Sequence, residues 1–264
     1  MRADGYHKLE SLFAFLDLAD ELSVEEGESL KLEIGGEFAE FVDPENNLFL
    51  QILDFFAAKF GVPKNLRIRI KKNIPVGAGL GGGSSDAASF MILLNNLFSL
   101  QLSKTDLQKI SLNFGSDIAF FFEDQASIVK GRGEVIENFP AFKPIPILLI
   151  NPRISLLTKE VFGELRGNFS SEIPTQDLLE KDPIFLIKNF PNDLEKPAIA
   201  KLPIITEILN ELRNCGAEVA KMSGSGATCF ALFASEEEFD EAEEKLKKTF
   251  PKFFVEKAKI LSHV

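Results

Sequence analysis

Val76-Gly77-Ala78-Gly79-Leu80-Gly81-Gly82-Gly83-Ser84-Ser85-Asp86 is the stretch on which the fold turns. Five of the seven residues from 77 to 83 are glycine, with a strand-like run before them and a helix-like run after. Glycine has no Cβ, so its amide can approach a ligand in backbone conformations that other residues avoid. A run of such amides at a helix N-terminus attracts an anion, most often a phosphate. The stretch therefore predicts a cradle for nucleotide phosphates. Ser84 or Ser85 is expected to cap the following helix, with Ala88, Met91, Ile92 and Phe98 on its apolar side and Asn95 as a polar break.

Upstream, Leu66, Ile68 and Ile70 alternate with Arg67 and Arg69, the pattern of a strand with one wet face. Leu30 to Ile34 alternates in the same way. Leu48 to Phe60 places Phe49, Ile52, Leu53, Phe56 and Phe60 at helical spacing, and Gly61 and Pro63 stop it. Downstream, Ser103-Lys104-Thr105-Asp106 supplies capping chemistry for a helix ending near Phe114-Gly115. Ser116-Asp117 then precedes an apolar run, and Gly131-Arg132-Gly133 reads as the turn of a hairpin.

Ala141-Phe142-Lys143-Pro144 is the expected boundary, dividing the chain into domains 1–142 and 143–264. The second half opens on a buried strand at 147–150. Helices are expected at 158–165, 184–189 and 204–213, with a polar loop over 169–182. A strand near 218–221, a Gly-Ser turn, a strand at 228–233, an acidic helix at 236–250 and a strand at 253–260 follow. That order is the split βαβ of a ferredoxin-like layer. The class is α+β.

Composition narrows the function. The chain has 264 residues, of which 45% are hydrophobic and 26% charged, ordinary values for a globular protein. A net charge of −11 argues against a nucleic-acid partner or an anionic membrane surface. Neither a membrane-spanning apolar run nor a secretion signal is present, which points to the cytoplasm. The acidic residues from Glu236 to Glu244 read as a solvated helix face. Cys215 and Cys229, the two cysteines, have neither metal-ligand spacing nor a nearby His, so both are expected to be buried thiols. The 26 phenylalanines are expected to pack the core.

Gly77-x-Gly79-x-x-Gly82 formally matches the dinucleotide fingerprint. That fingerprint needs a buried parallel strand before it and an acidic residue farther on, and residues 97–102 contain none. A Walker A loop needs Gly-Lys-Ser/Thr, whereas Gly83 is followed by Ser84-Ser85. A purely structural turn would rarely use five glycines ahead of a helix. A third kind of phosphate loop remains.

Pro75-Val76-Gly77-Ala78-Gly79-Leu80-Gly81-Gly82-Gly83-Ser84-Ser85-Asp86-Ala87-Ala88 resembles the ATP loop of the GHMP kinase family. Three further stretches resemble that family in its order: Arg2-Ala3-Asp4-Gly5-Tyr6-His7, Gly115-Ser116-Asp117-Ile118-Ala119-Phe120-Phe121, and Ser223-Gly224-Ser225-Gly226-Ala227-Thr228-Cys229-Phe230. The resemblance implies a two-domain fold. Its N-terminal half, 1–142, is the ribosomal protein S5 domain 2-like ATP-binding half, and 143–264 is the ferredoxin-like C-terminal half. It implies ATP and Mg²⁺, with ATP near Asn47, Lys72, Pro75, Gly77, Gly79, Leu80, Gly81, Gly82, Gly83, Ser84 and Ser85. Ser84 or Ser85 is expected near Mg²⁺, and no protein metal ligand is assigned.

Asp117 is the expected general base, because transfer to a hydroxyl calls for positioning, charge stabilisation and a carboxylate that accepts the proton. The branch resembled phosphorylates the 2-hydroxyl of 4-diphosphocytidyl-2-C-methyl-D-erythritol. For this small-molecule substrate the resemblance implies Tyr6, His7, Thr158, Phe162, Gly224 and Ser225. An aromatic face can stack on a pyrimidine and an imidazole can hydrogen-bond its edge. A monomer or homodimer is expected. The rivals are a GHMP kinase of homoserine or mevalonate type, and a nucleotide-binding homologue with impaired catalysis. In the family a Pro/Ala-Lys-Ile-Asn-Leu strand precedes the Arg-Ala-Asp-Gly-Tyr-His turn, and its Lys and Asn are expected at the transfer site. Met1 stands where that turn begins, so the expectation is a start placed too late or truncated.

Overall fold

The computed structural model describes residues 9–165, 170 and 175–264. Strands β1 (Leu9–Phe13), β2 (Phe15–Leu16), β3 (Glu21–Glu26) and β4 (Lys31–Gly35) come first, then helix α1 (Leu48–Phe60) and strand β5 (Leu66–Lys71). Helices α2 (Gly82–Leu97) and α3 (Lys104–Ser111) lead to a 3₁₀ turn, Ser116–Phe122. Strands β6 (Ser127–Gly131), β7 (Val135–Asn138) and β8 (Ile145–Asn151) follow. Then come α4 (Thr158–Gly163), α5 (Thr175–Leu179), α6 (Pro183–Asn189), α7 (Glu195–Lys201) and α8 (Ile204–Asn214). Strands β9 (Val219–Met222) and β10 (Cys229–Leu232), helix α9 (Glu236–Thr249) and strand β11 (Phe254–Leu261) close the chain.

The chain forms two compact units, each discontinuous in sequence. The first comprises residues 9–13, Leu18–Val76 and Gly81–Glu137. Its strands make two three-stranded sheets, β1-β6-β7 and β3-β5-β4, with β5 antiparallel to β3 and parallel to β4. On β5 the expected alternation holds: Leu66, Ile68 and Ile70 are buried, and Arg67 and Arg69 face outward. Helix α1 is capped by the Asn47 side chain, which accepts from the Leu50 amide, and ends at left-handed Gly61. Its Phe49, Ile52, Leu53 and Phe56 pack with Phe90, Met91 and Leu94 of α2 over the sheet. Each such burial contributes about 1.5–3 kcal/mol. The Ser103–Asp106 capping box of α3 forms as expected.

The second unit comprises Ala14–Asp17, Gly77–Leu80 and the described part of Asn138–Val264. Its sheet has the order β2-β11-β8-β10-β9, and every pair in it is antiparallel. Leu148 and Ile150 of β8 pack with Ile205, Ile208 and Leu212 of α8 and with Leu246 of α9. The acidic face of α9 points to solvent while Phe239, Ala242 and Leu246 turn inward.

Several local expectations fail. Ser84 and Ser85 do not cap α2. The helix starts at Gly82, its cap is Gly81, and no side chain caps it, so both serines lie inside the helix. Ile92 is exposed, because a step of 100° per residue aligns Ala87, Met91 and Leu94 inward and turns Ile92 away. The loop expected over 169–182 contains α5, and the short helix α7 was not foreseen around Pro197. Cys229 is buried as expected, whereas Cys215 is half-buried.

Candidate active site

The α2 N-terminus belongs to the first unit. Gly81 takes a left-handed φ of 70°, and a Cβ there would lie 2.8 Å from Cζ of Phe121. No side chain that could act as a cap has room at this point, so the first-turn amides of α2 are open to an anion and carry the positive end of the helix dipole. Most glycines of the loop answer to protein neighbours. A Cβ on Gly77 would strike Ser155, one on Gly79 would lie 2.8 Å from the Gly226 amide, and one on Gly82 would lie 3.0 Å from Ile74. Gly83 differs: a Cβ there meets nothing within 4 Å. A side chain there would enter open space, so no protein neighbour accounts for this glycine.

Gly77–Leu80 belong to the second unit, where the late glycine-serine turn holds them. Ser223 Oγ donates to the Gly79 carbonyl at 2.9 Å, the Thr228 amide donates to the Ala78 carbonyl at 3.1 Å, and the Leu156 amide donates to the Gly77 carbonyl at 3.2 Å. Asn192 Nδ2 steadies the same turn by donating to the carbonyls of Met222 and Gly224, at 3.0 and 2.8 Å. Ser225 is buried, and its hydroxyl lies 2.9 Å from Thr158 Oγ1 at the first residue of α4. Phe162 follows Thr158 by one helical turn and therefore shares its face. Thr158, Phe162, Gly224 and Ser225 thus come from two segments that meet within one unit. Tyr6 and His7 lie outside the described residues.

Asp117 sits in the first turn of the 3₁₀ segment, just ahead of buried Ile118, Ala119 and Phe120. Burial pushes its carboxyl up from the usual range, and the Ser116 hydroxyl, donating to Asp117 Oδ1 at 3.3 Å, opposes that in part. No cation among the described residues pairs with it. Phe121, four residues on, is the ring that faces Gly81, so one short turn carries both the carboxylate and the wall of the helix N-terminus. Gly133 backs the same turn, since a Cβ on it would lie 3.0 Å from the Ser116 carbonyl carbon.

Asn47 and Lys72 are engaged by the protein itself. Asn47 caps α1 with its oxygen, and its Nδ2 donates to the carbonyls of Asp43 and Pro44 at 3.0 and 3.2 Å. Lys72 is buried and its ammonium pairs with Asp20 and, at 2.6 Å, with Asp86. Burial pushes the Asp86 carboxyl up to about 6; Lys72 opposes the rise and the Asp20 carboxylate adds to it. Pro75 is buried beside this group, ahead of the loop. Among the described residues, no group of three or more His, Cys, Asp or Glu side chains could hold a metal ion, and no helix is long and apolar enough to cross a membrane. Sequence reasoning missed Asp20, Asp86, Ser155, Phe121 and Asn192. Asp86 stands inside the quoted motif, and its position four residues after Gly82 was the available signal. Phe121 likewise ends the quoted stretch from Gly115, whereas Asp20, Ser155 and Asn192 carry no local signal.

Comparison with known proteins yields concordant matches. The profile of the GHMP kinases N terminal domain matches residues 47–127, and that of the GHMP kinases C terminal domain matches 177–252. A 4-diphosphocytidyl-2-C-methyl-D-erythritol kinase from a Chelativorans species is 35% identical, over 96% of this chain and 88% of that protein. One of the same name from Bradyrhizobium diazoefficiens is 37% identical, over 96% and 90%. A crystal structure of 4-(cytidine 5'-diphospho)-2C-methyl-D-erythritol kinase superposes with a TM-score of 0.78 at 30% identity, over 98% of this chain and 92% of that one. A homoserine kinase from Cytophaga hutchinsonii, with a TM-score of 0.69 at 17% identity over 96% and 90%, shares the fold.

Proposed function

We propose, from the premise that the chain belongs to the GHMP kinase family, that it is an ATP-dependent kinase that phosphorylates the 2-hydroxyl of 4-diphosphocytidyl-2-C-methyl-D-erythritol. This is a step of the non-mevalonate route to isoprenoid precursors, and we place it in the cytoplasm. One observation carries the chemistry: the uncapped glycine N-terminus of α2 abuts, through Phe121, the turn that bears Asp117.

ATP is the phosphoryl donor and Mg²⁺ neutralises charge on its phosphates. The first-turn amides of α2 would hold those phosphates, with Gly83 admitting them closely. The hydroxyl of Ser84 or of Ser85 would lie near Mg²⁺. Asp117 accepts the proton of the 2-hydroxyl at a carboxylate oxygen while the substrate's hydroxyl oxygen bonds to the γ-phosphorus of ATP, and the bond from that phosphorus to the β–γ bridging oxygen breaks to release ADP. The raised carboxyl suits this role, because burial makes the carboxylate a stronger base. Thr158, Phe162, Gly224 and Ser225 would contact the cytidyl substrate, with Tyr6 stacking on the cytosine and His7 bonding its edge.

The test is a coupled ADP-release assay on three acceptors: 4-diphosphocytidyl-2-C-methyl-D-erythritol, homoserine and mevalonate. ADP release with the first compound only is expected. Release with homoserine or mevalonate in its place would overturn the substrate assignment.

A further inference from the structure

We propose that Asp20, acting through Lys72 and Asp86, is a positioning clasp on the two stems of the glycine loop, and that nucleotide affinity depends on it. The inference rests on the kinase reading for the identity of the ligand and on nothing else in it.

The three side chains belong to one unit and are almost sealed from solvent, at 3% exposure for Asp20, 5% for Lys72 and 12% for Asp86. A buried ammonium needs a counter-charge, and one carboxylate satisfies that need. Here there are two, and they do different work. Asp86 Oδ2 accepts from Lys72 at 2.6 Å and lies four residues after Gly82, on the same helix face, so it ties the first turn of α2 to the end of β5. Asp20 pairs with Lys72 through Oδ2, while its Oδ1 accepts the backbone amides of Asn73 at 2.6 Å and Ile74 at 3.0 Å. Asn73 Nδ2 returns a bond to the Ala19 carbonyl at 2.9 Å.

Residues 72–74 are therefore gripped by both oxygens of one carboxylate. They form the stem that leads through Pro75 into the loop. The other stem begins at Gly82, where a Cβ would lie 3.0 Å from Ile74 and 3.6 Å from Asp20 Oδ2. Both stems thus report to the same ammonium. A phosphate held by backbone amides needs them placed to within about 0.5 Å. Letting one stem drift would misplace the first-turn amides while the cores of the unit stay packed.

The test combines hydrogen exchange in ligand-free protein with ATP titration. Asp20→Ala removes both grips, and amides over 74–86 should exchange about tenfold faster, with the Kd for ATP about tenfold higher. Asp20→Asn keeps an acceptor for the Asn73 and Ile74 amides and loses the charge facing Lys72, so about threefold in each readout is expected. Leu53→Ala, a core truncation in the same unit, lowers stability without touching the clasp and should leave the ATP Kd within about twofold. If Asp20→Ala does not fold, Asp20→Asn decides. Unchanged exchange over 74–86 overturns the proposal, as does an equal loss of ATP affinity in Leu53→Ala. Should the unaltered protein bind no ATP, the kinase reading falls and exchange settles the clasp: acceleration confined to 74–86 supports it, and acceleration spread over the unit overturns it.

Discussion

Asp86 and Asp117 lie in the same unit, and burial raises the carboxyl of each. Asp86 is answered at 2.6 Å by the Lys72 ammonium. Asp117 has a hydroxyl, that of Ser116, and faces no described cation. The difference teaches that desolvation by itself does not assign a role. A partner fixes Asp86 as part of the scaffold. Asp117, with a hydroxyl and no described cation facing it, is the carboxylate to which the proposed function gives the substrate's proton.

The comparison can be broken at either end. The largest effect is expected at Asp117. Asp117→Asn keeps the shape and loses the base, so turnover in the ADP-release assay should fall by about 10²–10⁴. ATP affinity by titration should stay within about twofold, the scatter expected of a site that Asp117 does not build. Retained turnover would reduce Asp117 to a buried carboxylate like any other.

At the other end, Lys72→Met leaves two facing carboxylates with no counter-charge. A loss of about 3–5 kcal/mol in urea unfolding is expected at pH 7, as for a broken buried pair. The pH dependence has a definite sign. Asp86 titrates near 6 in the folded protein, against 3.8 for an ordinary Asp, so the folded state binds its proton first. The stability Asp86 contributes is therefore fully present below 3.8 and is lost as pH rises through about 6. In Lys72→Met the deficit should shrink from pH 7 to pH 5, since a protonated carboxyl needs no partner. A deficit that grew on acidification would show that the ammonium was not what these carboxylates required.

The smallest effect sharpens the contrast on the same strand. Glu33 bridges Arg67 and Arg69 of β5 at 2.7 and 3.0 Å, yet all three are at least 40% exposed. Glu33→Gln should shift the urea-unfolding midpoint only slightly, with added salt removing most of the difference. A larger loss would mean that this surface ladder acts as a buried network does.

Much of the fold was legible because its signals are local. The alternation on β5, the helical spacing of α1 and the capping box of α3 each lie within a few residues, and each formed as its pattern required. The kinase family was legible for the same reason, since its motifs are short contiguous strings. The α2 start was misjudged because capping rules favour a serine, whereas Phe121, forty residues on from Gly81, leaves room there for a bare glycine. The family resemblance puts ATP near Asn47 and Lys72, and the structure adds what no short string shows, that Asn47 also caps a helix and Lys72 also pairs with two carboxylates.

By itself, then, the sequence determined which residues could cradle a phosphate, which strands have a wet face and which family the chain resembles. Those properties depend on side-chain type and short spacing, which survive without coordinates. Only the tertiary structure decided what each polar group faces. Lys72 meets Asp20 across 52 residues and Asp86 across 14, and Ser223 reaches Gly79 across 144. Charge and hydrogen bonding act over a few ångströms of space, and chain distance says nothing about which groups folding will bring that close.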